Sequence, residues 1–363
     1  MNKHRFAVLI PARNESAVIK QLLDSLHSQE YPQKDIDIFV IADNCTDDTA
    51  KIAEQNGAIV YLRKNNKQIG KGYALDYLLN KIWKNYPNRR YDAYIIFDAD
   101  NLVDKNFITE INKVYSDGYD IVSPYRNSKN YGSSWLSATS SIYFLYHSKL
   151  FRHRFNNGIN CATLGTGFLI SHNVIERYNG WKFFTLGEDA ELSMRAVKDG
   201  FKIGYADEAI IYDEQPVTFI DFWRQRLRWV RGHLQVAKIY GNSPATTTFD
   251  PLAIATILEF LSLLSILAIS IFSITTAANL WPYILLAITM LYIPTFIIGI
   301  RTIMTEKSKI HAKTITKYTY VIFFPLMILL FIFAAIMALF SCDRKEWHSI
   351  SHKGKYLNEL DKA

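Results

Sequence analysis

Cysteine is scarce in this chain, with 3 in 363 residues. Cys45, Cys161 and Cys342 stand far apart and show no metal-ligand spacing, so they read as free thiols in a reducing compartment. The first residues, Met-Asn-Lys-His-Arg, run straight into a short strand-like segment. They lack the long apolar core of a signal peptide, and the soluble part is expected in the cytosol. Charge is also scarce, but only locally. From Pro251 through Ile300, Glu259 is the only charged residue. That stretch is about twice the roughly 20 residues that cross a hydrocarbon core, which predicts a helical hairpin through a membrane.

Ahead of the hairpin, charged and apolar residues alternate as in a soluble domain, so the chain divides near residue 250 into two structural parts. The formal net charge is +7 and the pI about 9.0, and much of the basic excess lies beside the apolar segments. Positive charge in that place points to anionic lipid headgroups and a cytosolic orientation rather than to nucleic acid. Nothing else in the chain suggests a nucleic-acid module.

The most informative stretch is Tyr94 to Asn101, Tyr-Ile-Ile-Phe-Asp-Ala-Asp-Asn. An apolar run that ends abruptly in acids reads as a strand buried on both faces whose carboxyl end emerges into a cleft. Asp98 and Asp100 are two apart and share a side, so both carboxylates can reach one divalent cation or one hydroxyl-rich ligand. A lone Asp-x-Asp is equally well explained as a turn or helix cap.

Around it the chain alternates strands and helices. Phe6 to Ile10 is a strand that stops at Pro11; Pro-Ala-Arg-Asn-Glu then leads into a helix with Val18, Ile19, Leu22, Leu23 and Leu26 on one face. Asp37 to Ala42 is a second strand, followed by an Asp-rich loop from Asp43 in which Thr46 or Asp47 can cap the next helix. Ala58 to Leu62 is a third. Gly70-Lys71-Gly72 then opens a helix carrying Ala74, Leu75, Leu78, Leu79 and Ile82, which sets a lysine at a positively polarised helix start. That loop lacks the longer glycine spacing of nucleotide-triphosphate and dinucleotide sites. This alternation predicts a mainly parallel, doubly wound sheet, with the polar clusters at 43, 71 and 98 to 100 along one edge.

Asp120 to Ser123 is a further strand and Trp135 to Phe155 a long helix; Gly165 and Gly167 then permit close backbone approach. Gly187-Glu188-Asp189 starts a helix whose inner face is Ala190, Ser193, Met194 and Val197, although acids in a first turn also simply complement the helix dipole. Thr218 to Tyr240 reads as an arginine-rich amphipathic helix in the membrane interface, with Phe219, Phe222, Trp223, Leu227, Val230, Leu234 and Ala237 as its apolar stripe. By composition alone its arginines and tryptophan bind lipid headgroups. Leu252 to about Ala277 and Trp281 to Ile300 are the two spans, and the basic loop from Arg301 to Lys317 falls on the cytosolic side. A third apolar stretch, Tyr318 to Cys342, is interrupted by Pro325 and followed by a basic tail. Charge favours a re-entrant or interfacial segment there, while length allows a span.

Taken together, these motifs resemble family 2 glycosyltransferases. The matching residues are Pro11 to Glu15, Asp43, Gly70 to Leu75, Asp98 to Asp100, Gly187 to Asp189, and Gln225-Arg226-Leu227-Arg228-Trp229. They cover residues 6 to about 240 in the family's order. The last is similar to the Gln-x-x-Arg-Trp signature of the membrane-integrated branch that includes cellulose, chitin and hyaluronan synthases. The resemblance implies an α/β fold of the glycosyltransferase-A type and inverting transfer of a hexose or N-acetylhexosamine from a UDP-sugar to a glycan or lipid-linked acceptor. The enzyme is expected to be multi-pass in the inner membrane, with its catalytic domain in the cytoplasm.

By that resemblance, Pro11, Glu15, Asp43, Lys71, Asp98 and Asp100 form the nucleotide-sugar site. Asp43 would contact the uracil, and Lys71 and Asp98 the diphosphate. Asp100, with Asp98 as second candidate, would hold Mg2+ or Mn2+. Asp189 would be the general base, and Glu188, Gln225, Arg228 and Trp229 would serve the acceptor. Trp347 to His352 is similar to the tryptophan-containing gating loop of the processive branch, which favours a cytosolic tail. The domain plan implied is 1–215 catalytic, 216–245 interfacial helix, 251–300 hairpin, 301–317 basic loop, 318–342 third apolar helix and 343–363 tail. With two clear spans, a polysaccharide channel calls for a homo-oligomer, and a lipid-linked acceptor needs none.

Overall fold

The computed structural model describes residues 3–241, 251–276 and 281–342. Trp347, His352 and the basic tail expected to gate the site lie outside the described residues. In chain order the elements are β1 (Phe6–Ala12), α1 (Ile19–His27), β2 (Ile36–Asp43), α2 (Thr49–Gln55), β3 (Ile59–Arg63) and α3 (Lys71–Asn85). Next come β4 (Ala93–Ile96), β5 (Leu102–Val103), α4 (Phe107–Ser116), β6 (Ile121–Ser128) and α5 (Trp135–Asn156). β7 (Phe168–Ser171), α6 (His172–Arg177), α7 (Glu188–Lys198), β8 (Ile203–Asp213) and α8 (Phe219–Tyr240) complete the α/β part. The apolar part holds α9 (Pro251–Thr276), α10 (Trp281–Glu306), α11 (Thr314–Thr319) and α12 (Phe324–Leu339).

The sheet has 8 strands in the order β3-β2-β1-β4-β7-β6-β8-β5. β3, β2, β1 and β4 are parallel, and β6 is parallel to β8. β7 runs against both its neighbours, and β5 runs against β8 at the edge. The sheet is therefore mixed, with the expected parallel half intact. β1 shows why the strands read as continuous apolar runs. Phe6, Val8 and Ile10 enter one core layer with α1, α2 and α4, while Ala7 and Leu9 enter the other with α3, α5, α6 and α7. A strand covered on both faces has no polar side to show.

Three boundaries correct the sequence reading. β1 does not stop at Pro11 but continues to Ala12; its pairing with β4 ends at Leu9, so beyond that point only β2 flanks it and one side needs no donor. β6 runs past Ser123 to Ser128 through a register shift between Pro124 and Tyr125. Pro325 does not interrupt a helix but opens one, at the first turn of α12, where its missing N–H is harmless.

The expected α3 face is buried as read, from Ala74 to Ile82. On α7 Ser193 and Met194 are buried as expected, Ala190 and Val197 are only half-buried, and Glu188, Glu191, Leu192 and Ala196 are buried as well; Glu191 accepts hydrogen bonds from the Phe184 and Thr185 backbone N–H groups, both at 3.0 Å. α8 is long and only partly buried. It buries Phe222, Arg226, Arg231, Gly232 and Val236, while Phe219 of the anticipated apolar stripe is 51% exposed. Of its apolar stripe Phe222 is buried, Phe219 and Ala237 are exposed and the rest are half-buried, so Arg226, Arg231 and Gly232 supply much of the buried side.

Three helical segments, Ile254–Phe272, Trp281–Glu306 and Thr314–Leu339, are long and apolar enough to cross a membrane. α9 and α10 pack on each other and leave Leu258, Leu261, Leu264, Leu285 and Leu286 exposed, a surface that suits lipid rather than water. Glu259 turns inward instead, fully buried, and accepts a hydrogen bond from Thr295 at 2.6 Å. The C-terminal end of α10 is tied to the α/β part. Arg152 of α5 reaches Glu306 at 2.8 and 3.2 Å and Asp207 of β8 at 2.8 Å, and the Tyr125 hydroxyl donates to Glu306 at 2.8 Å.

Candidate active site

A cleft of about 690 Å3 opens along the carboxyl ends of β1, β2 and β4 and is closed from the other side by α5, α7 and α8. Carboxyl ends of strands are where open α/β sheets bind ligands. Pro11, Glu15, Asp43, Lys71, Asp98, Asp100, Glu188, Asp189, Gln225, Arg228 and Trp229 all line it. Residues read from separate motifs of the sequence thus meet in one cavity.

Lys71 is fixed at the first residue of α3 by Gly70, whose φ of 140° suits glycine. Its ammonium donates to Asp98 Oδ1 and to the Gly165 carbonyl, each at 2.6 Å, and stands 3.6 Å from Glu188 Oε1. Although burial opposes its charge, Asp98, Glu188 and Asp189 together raise its pKa, so the lysine stays cationic. Asp98 leaves β4 with its backbone N–H held by Thr166 Oγ1 at 2.8 Å and Asn101 Oδ1 at 3.1 Å. Gly167, at φ +70°, donates to the Ile96 carbonyl at 2.7 Å. A Cβ there would come within 2.9 Å of Ile211, so glycine alone lets this loop close over the end of β4.

Asp43 ends β2 and is paired with Arg63, the last residue of β3, at 2.6 Å. Burial raises the Asp43 pKa while Arg63 and Arg13 oppose that rise. Asp100 is 8% exposed; its Oδ2 accepts from the Glu214 backbone N–H at 3.3 Å and its carbonyl from Lys129 Nζ at 2.5 Å. Across from it, Asp213 at the end of β8 is held by Arg126 at 2.7 Å and Gln215 at 2.7 Å. Burial raises the Asp213 pKa, Arg126 opposes this, and the nearby charge of Asp100 adds to it. Arg63, Arg126 and Asp213 were not anticipated. Arg126 and Asp213 reach the cleft through the second half of β6 and the end of β8, and Arg63 reaches Asp43 from the last residue of β3.

Glu188 and Asp189 occupy the first turn of α7. Burial pushes the Glu188 carboxyl up to about 7, with Lys71 opposing and Asp189 adding to the rise. The Asp189 carbonyl accepts from Thr163 and Ser193, both at 2.9 Å, which locks the turn. Among the described residues its carboxylate accepts no hydrogen bond. α8 is brought against this turn by a glycine contact between Gly187 and Gly232 and by Gln235 Oε1, which accepts from the Leu186 N–H at 3.0 Å. Gln225, Arg228 and Trp229 therefore face the start of α7 across the cleft. The Gln225 side-chain oxygen is buried without a partner among the described residues.

No group of three or more His, Cys, Asp or Glu side chains among the described residues could hold a metal ion by itself. Mg2+ and Mn2+ bound with nucleotides commonly take one or two carboxylates plus phosphate oxygens and water. Asp98 and Asp100, two carboxylates on the wall of one cleft, fit that donor set.

Residues 4–232 match the sequence model of Glycosyltransferase like family 2. The chain is 28% identical over 255 residues to a probable glycosyltransferase, YdaM, of Bacillus subtilis, covering 64% of this chain and 56% of that one. It is 25% identical over 239 residues to a beta-monoglucosyldiacylglycerol synthase of Nostoc, covering 63% and 49%. The chain thus spans about half the length of these curated relatives. Among solved structures, a mannosyltransferase of Pyrobaculum calidifontis in complex with GDP-Man and Mn2+ superposes with a TM-score of 0.58 at 16% identity, over 95% of this chain and 89% of that one. That likeness establishes the glycosyltransferase-A type of fold. With the family match running over residues 4–232, the chain is a member of the family 2-like glycosyltransferases.

Proposed function

We propose that this chain is an inverting glycosyltransferase of the membrane-integrated branch, moving a hexose or N-acetylhexosamine from a UDP-sugar to a glycan or lipid-linked acceptor at the cytosolic face of the inner membrane. The observation that carries it is the convergence of Lys71, Asp98, Asp100, Asp189, Gln225, Arg228 and Trp229 on one cleft. Asp43 would contact the uracil, with Pro11 and Glu15 lining that end. Lys71 and Asp98 would meet the diphosphate. Bound Mg2+ or Mn2+, held by Asp100 with Asp98, would neutralise charge on the departing diphosphate.

Asp189 is assigned the base. The acceptor hydroxyl gives it a proton as the oxygen attacks the anomeric carbon from the face opposite the diphosphate, and the bond to the diphosphate breaks. One base and no covalent intermediate suffice for inversion. Lys71, fixed 2.6 Å from Asp98, is already oriented where leaving-group charge would collect, the preorganisation that stabilises a transition state. Gln225, Arg228 and Trp229 form the acceptor floor and Glu188 its edge.

The packing of α12 supports an interfacial rather than a spanning third helix. Phe323, just before it, packs on Trp135 at the start of α5. Just after it, Ser341 accepts hydrogen bonds from Arg231, and the Cys342 carbonyl accepts one from Gln235, both residues of α8. Both ends of α12 meet the catalytic part, whereas a span would carry one end away. An interfacial helix would keep the tail cytosolic, as a gating loop requires.

The test is nucleotide release by the full chain in detergent micelles with Mg2+ or Mn2+, across UDP-glucose, UDP-N-acetylglucosamine, UDP-galactose and GDP-mannose. Release of uridine diphosphate supports the proposal. Release from GDP-mannose alone would overturn the donor, label in an acid-labile lipid phosphate would indicate a polyprenyl-phosphate acceptor, and nucleotide binding without release would mark a silent binding protein. The length of the product separates single addition from processive synthesis.

A further inference from the structure

Arg226, the second residue of Gln-Arg-Leu-Arg-Trp, is fully buried and does not line the cleft. Its Nη2 donates to Ser140 Oγ at 2.7 Å, while Nε and Nη1 have no partner among the described residues. In place of a carboxylate it has rings. The guanidinium carbon lies 4.0 Å from the centre of the Trp229 ring, 4.9 Å from Phe222, 5.0 Å from Phe331 and 5.8 Å from Tyr143. These rings come from α5, α8 and α12.

Burying a cation without a counter-ion is unfavourable, and a hydrophobic residue of similar volume commonly serves packing as well or better. A methionine would fill this space without desolvating a charge, but it could not bind ring faces electrostatically. The four rings divide into two kinds. Trp229 and Tyr143 line the cleft; Phe222 and Phe331 do not. Trp229 and Tyr143 lie 6.5 Å apart with planes 28° from parallel. Arg226 thus links two rings that face the ligand to two that anchor in α8 and α12.

We propose that Arg226 is a positioning residue of the acceptor site, holding the indole of Trp229 and the ring of Tyr143 as one platform from the side turned away from the cleft. The proposal rests on the reading of Trp229 as acceptor floor. It also ties that floor to α12 through Phe331, so the platform is set by the membrane-proximal helix as well as by α8.

The experiment compares Arg226→Met and Arg226→Lys in the full chain in detergent. Near-UV circular dichroism needs no ligand. Arg226→Met is expected to reduce the aromatic signal, and the same substitution in a Trp229→Phe background is expected to change it little. In turnover assays with methyl β-glucoside or chitotriose, whichever the wild type glycosylates, Arg226→Met should raise the acceptor KM roughly tenfold, with the donor KM held within about twofold. Arg226→Lys, which keeps the cation, should recover part of that loss. A dichroism change that persists in the Trp229→Phe background, or an Arg226→Met enzyme altered in melting temperature but not in acceptor KM, would overturn the proposal. A wild type silent toward every donor would count against the transferase reading instead, and the dichroism would still decide whether Arg226 holds Trp229.

Discussion

A methyl group built on Gly232 of α8 would lie 2.6 Å from the backbone nitrogen of Gly187 and 2.9 Å from the carbonyl carbon of Leu186. Neither atom can move without shifting the turn that presents Asp189. The two glycines set the distance between the assigned base and the acceptor floor. Gly232→Ala should therefore lower kcat by roughly tenfold to a hundredfold, since a displacement near 1 Å at a reacting centre costs about that much. Nucleotide affinity, measured by calorimetry, should stay near wild type because Lys71 and Asp98 lie on other elements.

Arg152 joins the catalytic part to the end of α10 through Glu306, which is 2% exposed. Arg152→Met would leave that carboxylate with only the Tyr125 hydroxyl and the more distant charge of Lys309. Breaking a fully buried pair costs more than breaking a surface one, and the Arg152 side chain is itself 31% exposed, so a loss of about 2 kcal/mol is expected. Thermal unfolding in detergent should show it, and the Arg152→Met, Glu306→Gln double variant should recover part of the loss.

Glu188 supplies a pH dependence whose sign follows from its surroundings. Its carboxyl is raised to about 7, first by burial, with Lys71 opposing, above the ordinary value near 4.3. A group raised on folding contributes stability that is complete below its unfolded pKa and is lost as pH climbs through the folded value. The melting temperature of the nucleotide-free protein should thus fall by roughly a few degrees between about pH 4.5 and pH 7 and level off above that. Glu188→Gln should flatten that slope, and an unchanged slope would show that Glu188 is not its source.

How legible these features were depended on how each element is buried. β1, β2 and β4 are covered on both faces, so their apolar runs announced them, and Asp43 at the end of β2 and Asp98 just after β4 marked the cleft. β8 was missed because Asp207 and Glu208 break its apolar pattern, yet Asp207 is there to meet Arg152. With β8 went Asp213 and its partner Arg126 on the unread half of β6. On α8 the apolar stripe was legible but its depth was not, since composition cannot tell that Phe222 is buried while Phe219 is exposed. Arg226 escaped notice for a related reason: an arginine in an amphipathic helix reads as a surface charge, and only three-dimensional packing shows it enclosed by rings.

The most direct measurement is nucleotide release and nucleotide affinity for Asp189→Asn, made side by side on the full chain with Mg2+ or Mn2+. The expected result is an affinity close to wild type with turnover lower by roughly a hundredfold or more, the range for loss of a general base. An Asp189→Asn protein that turns over at the wild-type rate would contradict the assignment of this cleft as the place where the sugar is transferred.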